Sequence, residues 1–277
     1  MKTVVFLDTH LSTACKGYRT RIGREEIGAQ LVAACCQEEA GWEVRYLMPN
    51  SDQPDVAYNL VSQGGCDALA LFPYTYTKWL ADAIAQLFKG KMPIIYGGYH
   101  TGITEITAQE VFSEGLADYV IWGRGDKTLP RLLNDLAKGK ANQGILHKTN
   151  DISSKKYPLN YLPWPIRNER LMQDLTKDPI SYMPPKNLEA NPRRLVIIAG
   201  SMGCSARCDF CSSWMISPKP LHRSPKDIVK EMIWLKQEYG PGLVFYFANP
   251  LFNTDRDWVM TLCADMEKQG PFPSIIM

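Results

Sequence analysis

No apolar run in the sequence approaches 18 residues, so no segment reads as a transmembrane helix. Charge of one sign is also missing. Lys plus Arg number 31 and Asp plus Glu 29, a formal net charge of +2. That balance removes any bulk electrostatic case for nucleic acid or an anionic membrane surface. The apolar stretch at residues 4–7 is too short for an export signal, and Asp8 and His10 soon interrupt it. Eight cysteines in 277 residues are too few for a disulfide scaffold. The expected setting is therefore a reducing cytoplasm, where a tight cysteine cluster means metal or redox chemistry. What is present is ordinary globular composition, 45% hydrophobic and 22% charged, with length for two units.

The first half alternates strand and helix. Residues 3–7 read as a buried strand, followed by a polar loop to about Arg24 and a helix carrying Ile27, Leu31 and Ala34. Further strands are expected at 43–47, 67–72, 92–96 and 118–122, with helices between them and a last helix to about Lys138. Five such units predict an α/β fold, a flavodoxin- or Rossmann-like doubly wound parallel sheet in the order 2-1-3-4-5. Ligands of such sheets bind outside the carboxyl ends of the strands. Those ends carry the loops at 8–13, 73–77, 97–102 and 123–126. Two of the loops are glycine-rich, which either brings backbone close to a bulky ligand or makes tight turns. Neither is a GxGxxG after the first strand, so a dinucleotide reading is weak.

The predicted organisation is a first domain at 1–140, a linker at 141–194 and a second domain at 195–277. Seven of the nineteen prolines fall in the middle segment. Its stretch Tyr157-Pro-Leu-Asn-Tyr-Leu-Pro-Trp-Pro165 reads as an extended strap. The second domain opens on the strand Leu195-Val-Ile-Ile-Ala199, and Cys204, Cys208 and Cys211 follow as C-x3-C-x2-C with Phe210 just before the last. Three thiolates on one loop can hold three irons of a [4Fe–4S] cluster and leave the fourth open. An open iron can chelate S-adenosylmethionine and reduce its sulfonium, releasing a 5′-deoxyadenosyl radical. The alternative is a zinc site with His222 as a fourth ligand. Downstream, Ser224, Pro225 and Asp227 mark a helix start. Leu243–Ala248 is a strand, Thr254 is the expected cap of another helix, and a third strand begins at Ser274.

The C-x3-C-x-aromatic-C segment after a strand resembles the radical S-adenosylmethionine superfamily. The whole chain looks like the subgroup with an N-terminal cobalamin-binding domain. Gly97-Gly98-Tyr99-His100 resembles that subgroup's Gly-Gly-x-His segment. Ala117–Asp126, with Gly123 and Gly125, is similar to its strand followed by Gly-Glu-Gly-Glu, and Leu162–Arg167 resembles its strap. The resemblance implies a cobalamin-binding sheet followed by a partial (β/α) barrel. It also implies a [4Fe–4S] cluster on Cys204, Cys208 and Cys211, S-adenosylmethionine near Phe210, and cobalamin over Gly97, Gly98, Tyr99, His100, Gly123 and Gly125. Members include methyltransferases that act on unactivated carbon and enzymes that rearrange or cyclise. A small-molecule substrate and an electron donor such as flavodoxin or ferredoxin are expected, without nucleic acid or membrane. Asp8-Thr-His10 begins the Asp-x-His-x-x-Gly cobalt-ligand motif but has Thr13 in place of its glycine, so cobalamin binding without a histidine ligand is expected. Ala248-Asn249-Pro250 stands where the subgroup often has acidic residues. The family's barrel has six units, and this sequence reaches the third strand. That predicts a cofactor-binding fragment that self-associates or needs a partner chain.

Overall fold

The computed structural model describes residues 1–9, 26–49, 52–148, 156, 159–167, 173–174, 194–240, 242–270, 272 and 275–276. His10, Thr13 and Ser274 lie outside the described residues, as do much of the expected linker and Tyr157 of the strap. The chain divides into two units, one of residues 1–20, 28–151 and 162–167, the other of 21–27, 152–161 and 168–277. Among the described residues no helix is long and apolar enough to cross a membrane.

In the first unit β1 (Thr3–Leu7), β2 (Glu43–Leu47), β3 (Ala68–Leu71), β4 (Ile94–Tyr96), β5 (Tyr119–Gly123) and β6 (Gly144–Lys148) form one sheet. Its order is β2-β1-β3-β4-β5-β6, and every neighbouring pair is parallel. Alternating with the strands are α1 (Ile27–Ala40), α2 (Pro54–Ser62), α3 (Lys78–Phe88), α4 (Gly98–Thr101), α5 (Glu105–Ser113) and α6 (Gly125–Ala137). All residues of β1 and β3 are buried, which is why these strands read as unbroken apolar runs. Leu69, Leu71, Ile84, Phe88 and Tyr96 are central in the core. The strand order reverses between β1 and β3, and that reversal opens a crevice at the strand ends.

The sheet has one strand more than its sequence predicts. Gly144–Lys148 lies in the stretch read as linker, yet it pairs with β5 from Tyr119↔Gly144 to Gly123↔Lys148. No proline falls between residues 140 and 157, so nothing removes a ladder donor there, and Ile145 and Leu146 supply apolar side chains.

In the second unit β7 (Gln173–Asp174), β8 (Arg194–Ile198), β11 (Leu243–Phe247) and β12 (Ile275–Ile276) form a sheet in the order β12-β11-β8-β7. Its three later strands are mutually parallel, and β7 runs antiparallel to β8. Consecutive parallel strands lie side by side without a reversal, which is the winding of a partial barrel. Between β8 and β11 come β9 (Ser201–Met202), α7 (Ser213–Ile216), β10 (Leu221–His222) and α8 (Pro225–Tyr239). The helix α9 (Arg256–Lys268) follows β11. Ser224 caps α8 by accepting from the Asp227 N–H at 3.1 Å, with Pro225 at the first position. Ile228, Met232 and Leu235 then pack on Val196, Ile198 and Phe245.

The cap of α9 falls one residue later than expected. Asp255 Oδ1, not Thr254, accepts from the Trp258 N–H at 3.0 Å, while Thr254 Oγ1 stands 3.3 Å from His222 Nε2. A carboxylate in this place also interacts favourably with the helix dipole. Asp255→Ala should therefore cost about 1 kcal/mol, seen as faster native-state hydrogen exchange along α9. Thr254→Ala should leave that exchange unchanged.

Candidate functional site

In the first unit the loops after β3, β4 and β5 are stitched into a deck by their own backbone. Gly97 N donates to Leu71 O at 2.9 Å, His100 N to Pro73 O at 3.2 Å and Gly123 N to Gly102 O at 2.8 Å. Glycine makes this close stitching possible. Gly98 has φ +80, and a Cβ there would lie 2.9 Å from Phe72 Cβ. A Cβ on Gly102 would lie 2.9 Å from both Gly98 O and Ile121 O. Gly97 differs, because an added Cβ there meets nothing closer than Ile121 Cβ at 3.9 Å. Gly98 thus has a packing reason to be glycine, whereas Gly97 faces room. Gly123 also has positive φ, and a Cβ on Gly125 would lie 3.3 Å from Val32 Cγ2 of α1.

Tyr99 stacks on Tyr74 at 5.4 Å, and Tyr74 on Tyr76 at 5.7 Å. His100 Nδ1 lies 3.1 Å from Thr75 Oγ1. Partial burial, followed by the nearby Lys78, holds His100 below the ordinary histidine range. Arg124 and Asp126 form a buried fork, Nε to Oδ1 at 3.0 Å and Nη2 to Oδ2 at 2.6 Å. Asp8, at the end of β1, is fully buried and accepts from Tyr46 OH at 3.2 Å. Among the described residues of this unit, two buried uncharged side chains lack partners. Both amide atoms of Gln30 and the Thr101 hydroxyl have no hydrogen-bond partner among the described residues. Buried polar atoms without partners fit a ligand that brings its own donors and acceptors, as the amide-fringed cobalamin does.

In the second unit the cysteines sit on a long loop with a narrow neck. β9 and β10 pair antiparallel through Ser201↔His222 and Met202↔Leu221. Beyond that stem Cys204 N donates to Ser217 O at 3.0 Å, and Ser217 Oγ donates to Lys219 O at 2.7 Å. Gly203 closes the neck with φ +79, and a Cβ there would fall 2.5 Å from Ser217 O. All three cysteines are free thiols, with Cys204 buried, Cys208 exposed and Cys211 between. Hydrogen bonds from Ser213, chiefly its side chain, hold the Cys211 thiol below the ordinary range. Cys211 N donates to Cys208 O at 3.0 Å. Phe210, expected beside S-adenosylmethionine, is 94% exposed. The donor chemistry fits an iron–sulfur cluster. Yet among the described residues no three His, Cys, Asp or Glu side chains stand together as a metal-holding group. His222, the alternative zinc ligand, instead faces Thr254 and lies 5.1 Å from the Trp258 ring.

Sequence reasoning missed what roots this loop. Arg223 N donates to Gly200 O at 3.0 Å, and its Nη1 donates to Ala199 O at 3.1 Å. The guanidinium, 2% exposed, also binds Asp227 Oδ2 at 2.6 Å and the buried Glu231 Oε2 at 2.7 Å. The signal was present. Glu231 falls on the same helical stripe as Ile228 and Leu235, and an acid on an apolar face calls for a buried cation. Asn249 Oδ1 accepts from Gly200 N at 3.0 Å, leaving a buried Nδ2 without a partner among the described residues. Beside the loop a cavity of about 540 Å3 is lined by Lys156, Ser205, Pro220, His222 and the turn from Thr254 to Asp257.

Residues 25–133 match the B12 binding domain family. An uncharacterized methyltransferase of Pyrococcus horikoshii is 26% identical over 261 residues, covering 91% of this chain and 52% of that protein. The anaerobic magnesium-protoporphyrin IX monomethyl ester cyclase of Synechocystis is 26% identical over 173 residues, 58% of this chain and 31% of its own. Among solved structures, the radical S-adenosylmethionine methyltransferase TsrM of Kitasatospora setae, with its tryptophan substrate and an S-adenosylmethionine analogue bound, superposes with a TM-score of 0.67. That match has 13% identity and covers 97% of this chain and 51% of TsrM. TsrM with cobalamin and a [4Fe–4S] cluster bound gives a TM-score of 0.63. The chain thus spans about half the length of the archaeal relative and of TsrM. Residues 25–133 of the first unit thus match a B12 binding domain, and the chain shares the fold of about half of TsrM, a radical S-adenosylmethionine methyltransferase.

Proposed function

We propose that the chain is the cofactor-holding part of a radical S-adenosylmethionine methyltransferase acting on an unactivated carbon of a small molecule. The observation that carries this reading is the placement of three free thiols. Cys204, Cys208 and Cys211 lie on the loop leaving the carboxyl end of a parallel strand, in one chain with a B12-binding domain. A [4Fe–4S] cluster held there would supply an open iron and one electron, the chemistry that splits S-adenosylmethionine into methionine and a 5′-deoxyadenosyl radical.

The chain's own residues prepare this chemistry. Cys204 is anchored at the loop's neck by Ser217, and Ser213 favours the thiolate of Cys211. Cys208 and Phe210, both exposed, belong to the arm that must turn toward Cys204 when the ligand set forms. Asn249 Nδ2 is a buried donor at the root of the loop and suits the carboxylate of S-adenosylmethionine. An acidic residue in that place would accept from the ammonium instead. In the first unit the deck of Gly97, Gly98, Tyr99, His100, Gly123 and Gly125 lies at the strand ends, where cobalamin would rest. The electron would come from a donor such as flavodoxin or ferredoxin in a reducing cytoplasm.

Anaerobic reconstitution should give about four irons per chain with a broad visible absorption band. Replacing the three cysteines with Ala should remove both. Stoichiometric zinc without iron after anaerobic purification overturns the proposal.

The glycine deck can be tested apart from the cluster. Gly98→Ala should lower the thermal midpoint of the ligand-free protein, because a Cβ at φ +80 is strained by about 1–2 kcal/mol and meets Phe72. Gly97→Val should leave that midpoint nearly unchanged and weaken hydroxocobalamin binding measured by absorbance. Unchanged affinity in Gly97→Val removes Gly97 from the cobalamin site.

A further inference from the structure

We infer that Gln30, with Thr101 as its companion, is a cobalamin-binding residue whose amide is matched only when the ligand is in place. The inference rests on the B12-binding reading of the first unit and assigns side chains within it.

Gln30 is 0% exposed, and neither its oxygen nor its nitrogen has a hydrogen-bond partner among the described residues. A buried primary amide can make up to four hydrogen bonds, and leaving them all unmade is destabilising. On the same helix Leu31, Ala33, Ala34, Cys35 and Cys36 are buried without any such deficit. A leucine or methionine would serve the ligand-free fold better at residue 30. The Thr101 hydroxyl, likewise 0% exposed, repeats the deficit in α4.

Both residues lie at the ligand-bearing end of the sheet. A helix that follows a parallel strand starts at that strand's carboxyl end, and Gln30 is the fourth residue of α1. Two residues on, Val32 lies against Gly125, where a Cβ would come within 3.3 Å of it. The start of α1 therefore neighbours the loop leaving β5. Thr101 ends the short helix that opens at Gly98. Both fall inside the 25–133 match.

The chemistry of the pair selects the ligand. A carboxamide and a hydroxyl are neutral groups that donate and accept at once. They suit the primary amides that fringe a corrin ring better than a phosphate or a metal ion. Gln30 is fully buried, so its amide is reached only by a ligand that displaces a neighbouring group. An added Cβ on Gly28 meets nothing within 4 Å, and the strap's tie from Ile166 N to Gln30 O is long at 3.3 Å.

The test uses the full chain, with Gln30→Met and Thr101→Val as near-isosteric variants that delete the polar groups. Each is read twice, by thermal midpoint without ligand and by hydroxocobalamin titration followed by absorbance. The expected result has opposite signs. The ligand-free variants should melt at or above the wild-type midpoint, while the Kd for hydroxocobalamin rises about tenfold. The thermal gain on adding cobalamin should shrink accordingly. Affinity within about twofold of wild type in both variants overturns the inference alone. So does a drop in the ligand-free midpoint of both, because a merely structural amide would be missed in the absence of ligand. A wild-type chain that binds no cobalamin overturns both the inference and the reading beneath it.

Discussion

A guanidinium 2% exposed to water is tolerable only where carboxylates and carbonyls replace its hydration, and the second unit is arranged around meeting that demand for Arg223. Asp227 and Glu231 come from one helix, α8, and Ala199 O comes from the end of β8. The backbone carbonyl of Arg223 accepts from Trp258 Nε1 at 2.7 Å, which adds α9. One side chain and its peptide thus join a strand and two helices at the spot where the cysteine loop departs. Removing one partner of such a buried set costs about 3–5 kcal/mol, because a charge is left uncompensated. The loop can be loose at its tip, with Cys208 and Phe210 exposed, because its root is held by groups of this strength.

The first unit reaches the same end by a different route. Its buried ion pair, Arg124 with Asp126, closes within one loop and does not bridge the loops of the glycine deck. Backbone amides and carbonyls of neighbouring loops satisfy one another, and glycine permits the approach. The difference follows from winding. In the first sheet the order reverses between β1 and β3, so several loops converge and can bond to each other. In the second, successive parallel strands advance in one direction, and the first strand-to-helix loop must be fixed from behind.

Much of this was legible in the sequence. Unbroken apolar runs marked β1 and β3 because both faces of those strands are covered. The Ser224-Pro225 pair announced α8 because each residue has a specific role in a first helical turn. The C-x3-C-x2-C spacing located the candidate cluster loop. Other features were hidden for physical reasons. The strand Gly144–Lys148 is short and belongs to a segment whose prolines all lie at residue 158 and beyond, so the composition of the whole segment masked it. Asp255 outcompeted Thr254 as a cap, a choice that depends on where His222 lies across the fold. Gly97 and Gly98 look identical in a sequence, yet one is packed and the other is free. That distinction exists only once β3 and β4 are neighbours.

The two residues of β7 lie along the outer side of β8, opposite β11. That placement gives the second sheet a direction of growth. With one side of β8 already occupied, each later parallel strand docks on the one before it, β11 on β8 and β12 on β11. During synthesis these strands emerge in that same order, so every strand after β7 finds its neighbour already made. The sheet can therefore grow in chain order, while the cysteine loop is fully rooted only once Asp227, Glu231 and Trp258 have emerged to meet Arg223.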